Sequence, residues 1–191
     1  KENTKNLKGP FLIVENHIGH MDAIMHLTVW AHLNKITFPY VWFGPYLPPI
    51  VYIPGMFAEL NIKSASQGRG KQEIQIMVDR LKSGDIINIF PEGTYPGGVY
   101  RLSGLVQEGF TGAARIALEY EKQTGKKLTI MPVATKGTNI AYPPIRKGKR
   151  VFAAKIHVYF GKPFQLDFKS MEFDKDEIEN HTSRIMREIA D

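Results

Sequence analysis

Stretches with strand character and stretches with helix character take turns along this chain, and that alternation constrains its fold more than any other feature. "FLIVE" at Phe11 is a short apolar strand, and a helical pattern follows from about Met21 to Leu33, with Ile24, Leu27 and Ala31 spaced for one buried face. "KQEIQIMVDRLKSGD" sets Ile74, Met77, Val78 and Leu81 on one face and stops at Gly84, a natural C-terminal cap, before the strand "IINIF". "EGFTGAARIALEYEKQTG" reads as a helix closed by Gly125, "LTIMPVA" as a strand, "TKGTNIAYPPIRKGKR" as a basic loop and "AAKIHVYFG" as a further strand. A last helix, 174–190, is expected to open at Asp174 with Glu177 as its capping partner, and residues 1–10 form a flexible lead. Helices that repeatedly return the chain to a new strand imply an α/β fold, with a mixed, largely parallel sheet flanked by helices. At 191 residues, 43% hydrophobic and 23% charged, the chain fits a single domain spanning 1–191, and it shows no internal repeat.

From Ile36 to Ala58 no charge occurs over 23 residues, and about 20 apolar residues suffice to span a bilayer as a helix. Pro39, Pro45, Pro48, Pro49 and Pro54 each remove a backbone donor, however, so a lipid-exposed helix is rejected here. Two readings stay open: a buried strand with a Pro-rich core loop, or an apolar wall for a lipid tail or membrane surface. No n-region, h-region and cleavage site appear after Lys1, so no targeting segment is expected within the sequence. Without cysteine there is no disulfide, thiolate metal site or Cys nucleophile. A formal net charge of +6 suits anionic partners without choosing among phosphorylated small molecules, acidic lipid and nucleic acid.

In α/β sheets ligands collect where strands end, so the loops after "FLIVE" and "IINIF" are the first places to look for a site. The former carries "ENHIGHMDAIMH", residues 15–26. His17 and Asp22 would point apart on one continuous helix, so they meet only if His17 lies on the preceding turn, a bend that Gly19 eases. There Asp22 can fix the imidazole tautomer, leaving the other ring nitrogen to take a proton from a hydroxyl, although for the pair taken alone a His capping a turn and an Asp serving as N-cap is the commoner arrangement. No G-x-S-x-G surrounds any serine, so the hydroxyl belongs to a substrate rather than to the protein.

"NHIGHMD", followed by "FPEGT" at Phe90–Thr94 and "IMPV" at Ile130–Val133, resembles the glycerolipid acyltransferase family, typified by 1-acylglycerol-3-phosphate acyltransferases. In this sequence 26 residues, Ser64 to Ile89, separate Lys63 from Phe90, the spacing at which that family carries a basic residue, usually Arg. The resemblance implies that His17 acts as general base, that Asp22 orients it, and that Glu92, Gly93 and Thr94 hold the acceptor while Lys63 neutralises an anionic group on it. It implies acyl-CoA or acyl carrier protein as co-substrate, a lysophospholipid acceptor, and no metal, cofactor or nucleic acid. The protein is then expected to sit peripherally on an anionic membrane surface, at the cytoplasmic face. Outside this motif context, Glu92 would be a surface loop carboxylate and Lys63 a solvated charge.

The sequence departs from the family at three places: Gly19 where Ser is common, Tyr95 where Arg often follows F-P-E-G-T, and Gln107 where a Lys precedes the next helix. Arg69, Arg101 or the cluster Arg146, Lys147, Lys149 and Arg150 are the available substitutes, although solvated surface roles are the commoner fate of such charges. His-Ile-Gly-His also resembles the signature of class I aminoacyl-tRNA synthetases and related nucleotidylyltransferases. That alternative lacks a Lys-Met-Ser-Lys-Ser block, finds only a faint echo in "HTSRIMRE", and leaves "FPEGT" unexplained. A zinc site from His17, His20, Asp22 and His26 has no distant ligand to complete it. An inactive, membrane-associated lipid-binding module is the remaining alternative, and the intact His17, Asp22 and Glu92 weigh against it.

Overall fold

A computed structural model of the chain describes residues 9–17, 40–41, 70–92, 108–137 and 155–191. Its elements are β1 (Phe11–Glu15), β2 (Tyr40–Val41), α1 (Gly70–Lys82), β3 (Ile87–Ile89), α2 (Gly112–Thr124), β4 (Thr129–Lys136), β5 (His157–Phe160) and α3 (Lys175–Ala190). The strands form one sheet in the order β2-β3-β1-β4-β5, with the first four mutually parallel and β5 antiparallel to β4. This is the mixed, largely parallel α/β sheet that the alternation implied. Leu12 lies opposite Ile87 and Ile130, which makes β1 the central strand and accounts for its run of apolar residues.

Strand alternation divides the core in two. Leu12, Val14, Ile87 and Ile130 face a layer to which all three described helices contribute, where Val78 and Leu81 of α1, Ile116 of α2, and Ile178, Ile185 and Ile189 of α3 are buried. Phe11, Ile13, Met131 and Val133 occupy the opposite face with Ile86, and no residue of the three helices belongs to that cluster. Ile74 and Met77 pack at the edge of the first core, so all four residues expected on the buried face of α1 lie there. None of the described helices is long and apolar enough to cross a membrane.

Local physics moved several boundaries. α2 starts at Gly112 rather than Glu108, and in the stretch before it the Phe110 N–H donates to the Pro91 carbonyl at 2.7 Å. β4 runs two residues further than its apolar stretch, and Thr135 and Lys136, assigned to the basic loop by composition, pair with Val158 and His157. Within the described part of "AAKIHVYFG", β5 spans His157–Phe160, and beyond it the four residues Ile130–Val133 are matched by the five residues Phe160–Phe164, a bulge beside Pro132, which has no N–H to donate. Asp174 caps α3 by accepting from the Asp176 and Glu177 backbone, but Glu177 accepts from the Lys169 N–H at 2.8 Å, so the cap is one-sided rather than a reciprocal box. The expected helix at Met21–Leu33, the flexible lead through residue 8, and Ile36–Ala58 apart from β2 lie outside the described residues.

Candidate functional site at the carboxyl ends of β1 and β3

Val14 of β1 pairs with Ile89 of β3 in parallel register, so the two loops singled out by the sequence leave neighbouring strands at the same edge of the sheet. Their first side chains meet. The imidazole of His17 stacks on the ring of Phe90 with centroids 4.2 Å apart and planes 24° from parallel. Two motifs separated by most of the amino-terminal half are thus joined at a single ring-on-ring contact. Two residues beyond Phe90, Glu92 is only 4% exposed. Its burial sets it apart from the surface carboxylate that a loop position alone would suggest, since an acidic side chain is seldom buried without purpose.

The same edge concentrates buried polarity. Among the described residues six polar or charged side chains are buried, and five of them, Glu15, Asn16, Asn88, Glu92 and Thr135, lie on or just beyond β1, β3 and β4. Asn16 directs its side-chain amide at Thr135 of β4: Nδ2 donates to the Thr135 carbonyl at 2.9 Å, and Oδ1 accepts from the Thr135 N–H at 2.7 Å. The Thr135 hydroxyl donates to Glu15 Oε1 at 2.5 Å. The two residues immediately before His17 are therefore both tied to one residue of the neighbouring strand.

Of the residues expected at the site, His17 and Glu92 are described and stand at the ends of paired strands, whereas Asp22, Lys63, Gly93 and Thr94 lie outside the described residues. So do His20 and His26 of the zinc alternative, and Tyr95 and Gln107. "HTSRIMRE", the faint echo of a second nucleotidyltransferase motif, is part of α3: Thr182 bonds the Ile178 carbonyl, and Ile185 and Met186 are buried in the core. Sequence reasoning passed over Phe90, Glu15, Asn16 and Thr135 as contributors. A Glu ending an otherwise apolar strand and an Asn adjoining the motif His were visible signals. Thr135 carried none, because its role depends on a strand register that links positions 119 and 120 residues apart.

The family model described as Acyltransferase matches residues 1–136. No curated protein matches. Among solved structures, the chain is similar to the 1-acyl-sn-glycerophosphate (LPA) acyltransferase PlsC from Thermotoga maritima, at 20% identity and a TM-score of 0.56, over 98% of this chain and 68% of that one. At that identity the likeness is one of fold.

Proposed function

The chain belongs to the Acyltransferase family, and from that membership we propose that it transfers a fatty acyl group from acyl-CoA or acyl carrier protein to a hydroxyl of a lysophospholipid such as 1-acylglycerol-3-phosphate. The observation that carries this reading is the His17–Phe90 stack, which sets a potential base from one motif against the opening residue of the other. In the proposed reaction His17 takes the proton of the acceptor hydroxyl as the oxygen attacks the thioester carbonyl. The tetrahedral intermediate then expels the thiolate, which receives that proton from the imidazolium. Asp22 holds the ring tautomer, and Glu92, Gly93 and Thr94 hold the acceptor, with Lys63 as a point charge for its phosphate. The chemistry as proposed uses no cofactor. Because the acceptor is a lipid, the proposed site of action is an anionic membrane surface, reached peripherally from the cytoplasmic face.

Incubation with mixed acyl-CoAs and a panel of lysolipids, followed by mass spectrometry of the products, tests donor and acceptor together. Diacylated phosphatidic acid is the expected product. His17→Ala should lower its formation by about 10²–10⁴-fold, the usual contribution of a positioned base, and Asp22→Asn should be severely impaired as well. Full turnover by His17→Ala alongside a dead His20→Ala would transfer the role to the second histidine. Lipid binding with no acyl transfer to any acceptor would leave a binding module.

A further inference from the structure

Resting on the reading of His17 as the base, we propose that Thr135 is a positioning residue for it, acting through a three-bond latch with Asn16 and Glu15. The backbone ladder between β1 and β4 ends at the pair Glu15–Val133. Had the strands continued in register, His17 would lie opposite Thr135, whose N–H and C=O would bond the peptide groups on either side of it. The Asn16 side chain supplies that acceptor and donor instead, at 2.7 and 2.9 Å. An amide side chain has the same pair of groups as a peptide, so the sheet edge is completed without committing the backbone at His17 to the ladder. His17 is thereby released to stack on Phe90 at the end of β3, while the residue just before it stays fixed to β4.

The third bond, from the Thr135 hydroxyl to Glu15 Oε1, lies on the sheet face that carries Phe11, Ile13, Met131 and Val133. It secures the next residue back along the chain. Glu15, Asn16 and Thr135 are 0%, 3% and 2% exposed, so the three bonds are shielded from solvent. An anchor this close to a base matters for rate more than for binding: misplacement by about 1 Å at a reacting group costs on the order of 10²-fold in turnover.

The test compares Thr135→Val, which removes only the hydroxyl, with Asn16→Asp, which keeps size and acceptor but sets a carboxylate oxygen against the Thr135 carbonyl. Thr135→Ser is the conservative restoration. Thermal midpoints establish folding, kcat and KM are measured separately for acyl-CoA and lysophosphatidic acid, and the His17 ring is followed by NMR in ¹⁵N-histidine-labelled protein. We expect kcat to fall about tenfold in Thr135→Val and about 10²-fold in Asn16→Asp, with each KM within about twofold, broadened or shifted His17 ring signals, and most activity recovered in Thr135→Ser. Because Thr135→Val retains the backbone clamp, it carries the test if Asn16→Asp does not fold. The latch is overturned if Thr135→Val folds with unchanged kcat and unchanged His17 signals, or if losses fall on KM alone. A fully active His17→Ala would instead overturn the role of the base, and the ring signals would still judge the latch.

Discussion

At His17 the stacked ring of Phe90 limits how the imidazole can rotate, and it presents a π-face to the imidazolium that proton transfer creates. Aromatic pairing of this kind is worth about 0.5–1.5 kcal/mol beyond simple burial. Substituting Phe90→Leu keeps much of the apolar volume but removes the planar face. Since about 1.4 kcal/mol corresponds to tenfold in rate, kcat should fall roughly threefold to tenfold, with little change in KM for either substrate. Phe90→Tyr should retain most of the wild-type kcat. Steady-state kinetics on the three proteins check this, and equal losses in Leu and Tyr variants would count against ring stacking.

Among the elements, the connection leaving β4 is held more tightly than the one leaving α1. Gly84, which follows α1, has φ of 91°, yet a Cβ there would meet nothing within 4 Å. Gly137, immediately after β4, has φ of 97°, and a Cβ there would come within 2.4 Å of the Lys155 carbonyl oxygen. Left-handed backbone costs a residue with a Cβ about 1–2 kcal/mol, a penalty both positions share. Backbone contact adds to it only at Gly137, because the carbonyl cannot swing aside as a side chain would. Urea denaturation should show Gly84→Ala destabilised by about 1 kcal/mol and Gly137→Ala by about 2 kcal/mol or more. Equal midpoints for the two variants would argue against close packing between the end of β4 and the approach to β5.

On the scale of the whole molecule, the span matched by the family model ends at residue 136, but the fold does not. Ile178, Ile185 and Ile189 of α3 enter the same core as Leu12 and Ile130, so α3, which lies beyond that span, is part of the helical layer packed on the sheet. The chain as a whole carries 25 Lys and Arg against 19 Asp and Glu. If it works on a membrane surface as proposed, it should co-sediment with vesicles rich in anionic phospholipid at low salt. Most should be released as ionic strength rises and the screening length falls from about 10 Å at 0.1 M to about 3 Å at 1 M. Vesicles of neutral lipid should bind it far less. Retention through both high salt and alkaline carbonate would indicate an inserted segment and reopen the case of Ile36–Ala58.

By itself the sequence determined the α/β class, the strand FLIVE to the residue, the buried face of α1 and the order of the two motifs, because hydrophobic periodicity and turn residues act over a few positions. It also marked His17 and Glu92. Composition misjudged Thr135 and Lys136, since polar residues read locally as loop while the partner strand β5 holds them in the sheet. Only the tertiary structure decided that β1 lies between β3 and β4, and the contacts of His17, Asn16 and Glu15 described above depend on that order. One neighbour brings Phe90 against His17, and the other brings Thr135 to Asn16 and Glu15. Strand order and register arise from burying both faces of a sheet at once, a condition on the whole chain that no window of a few residues contains.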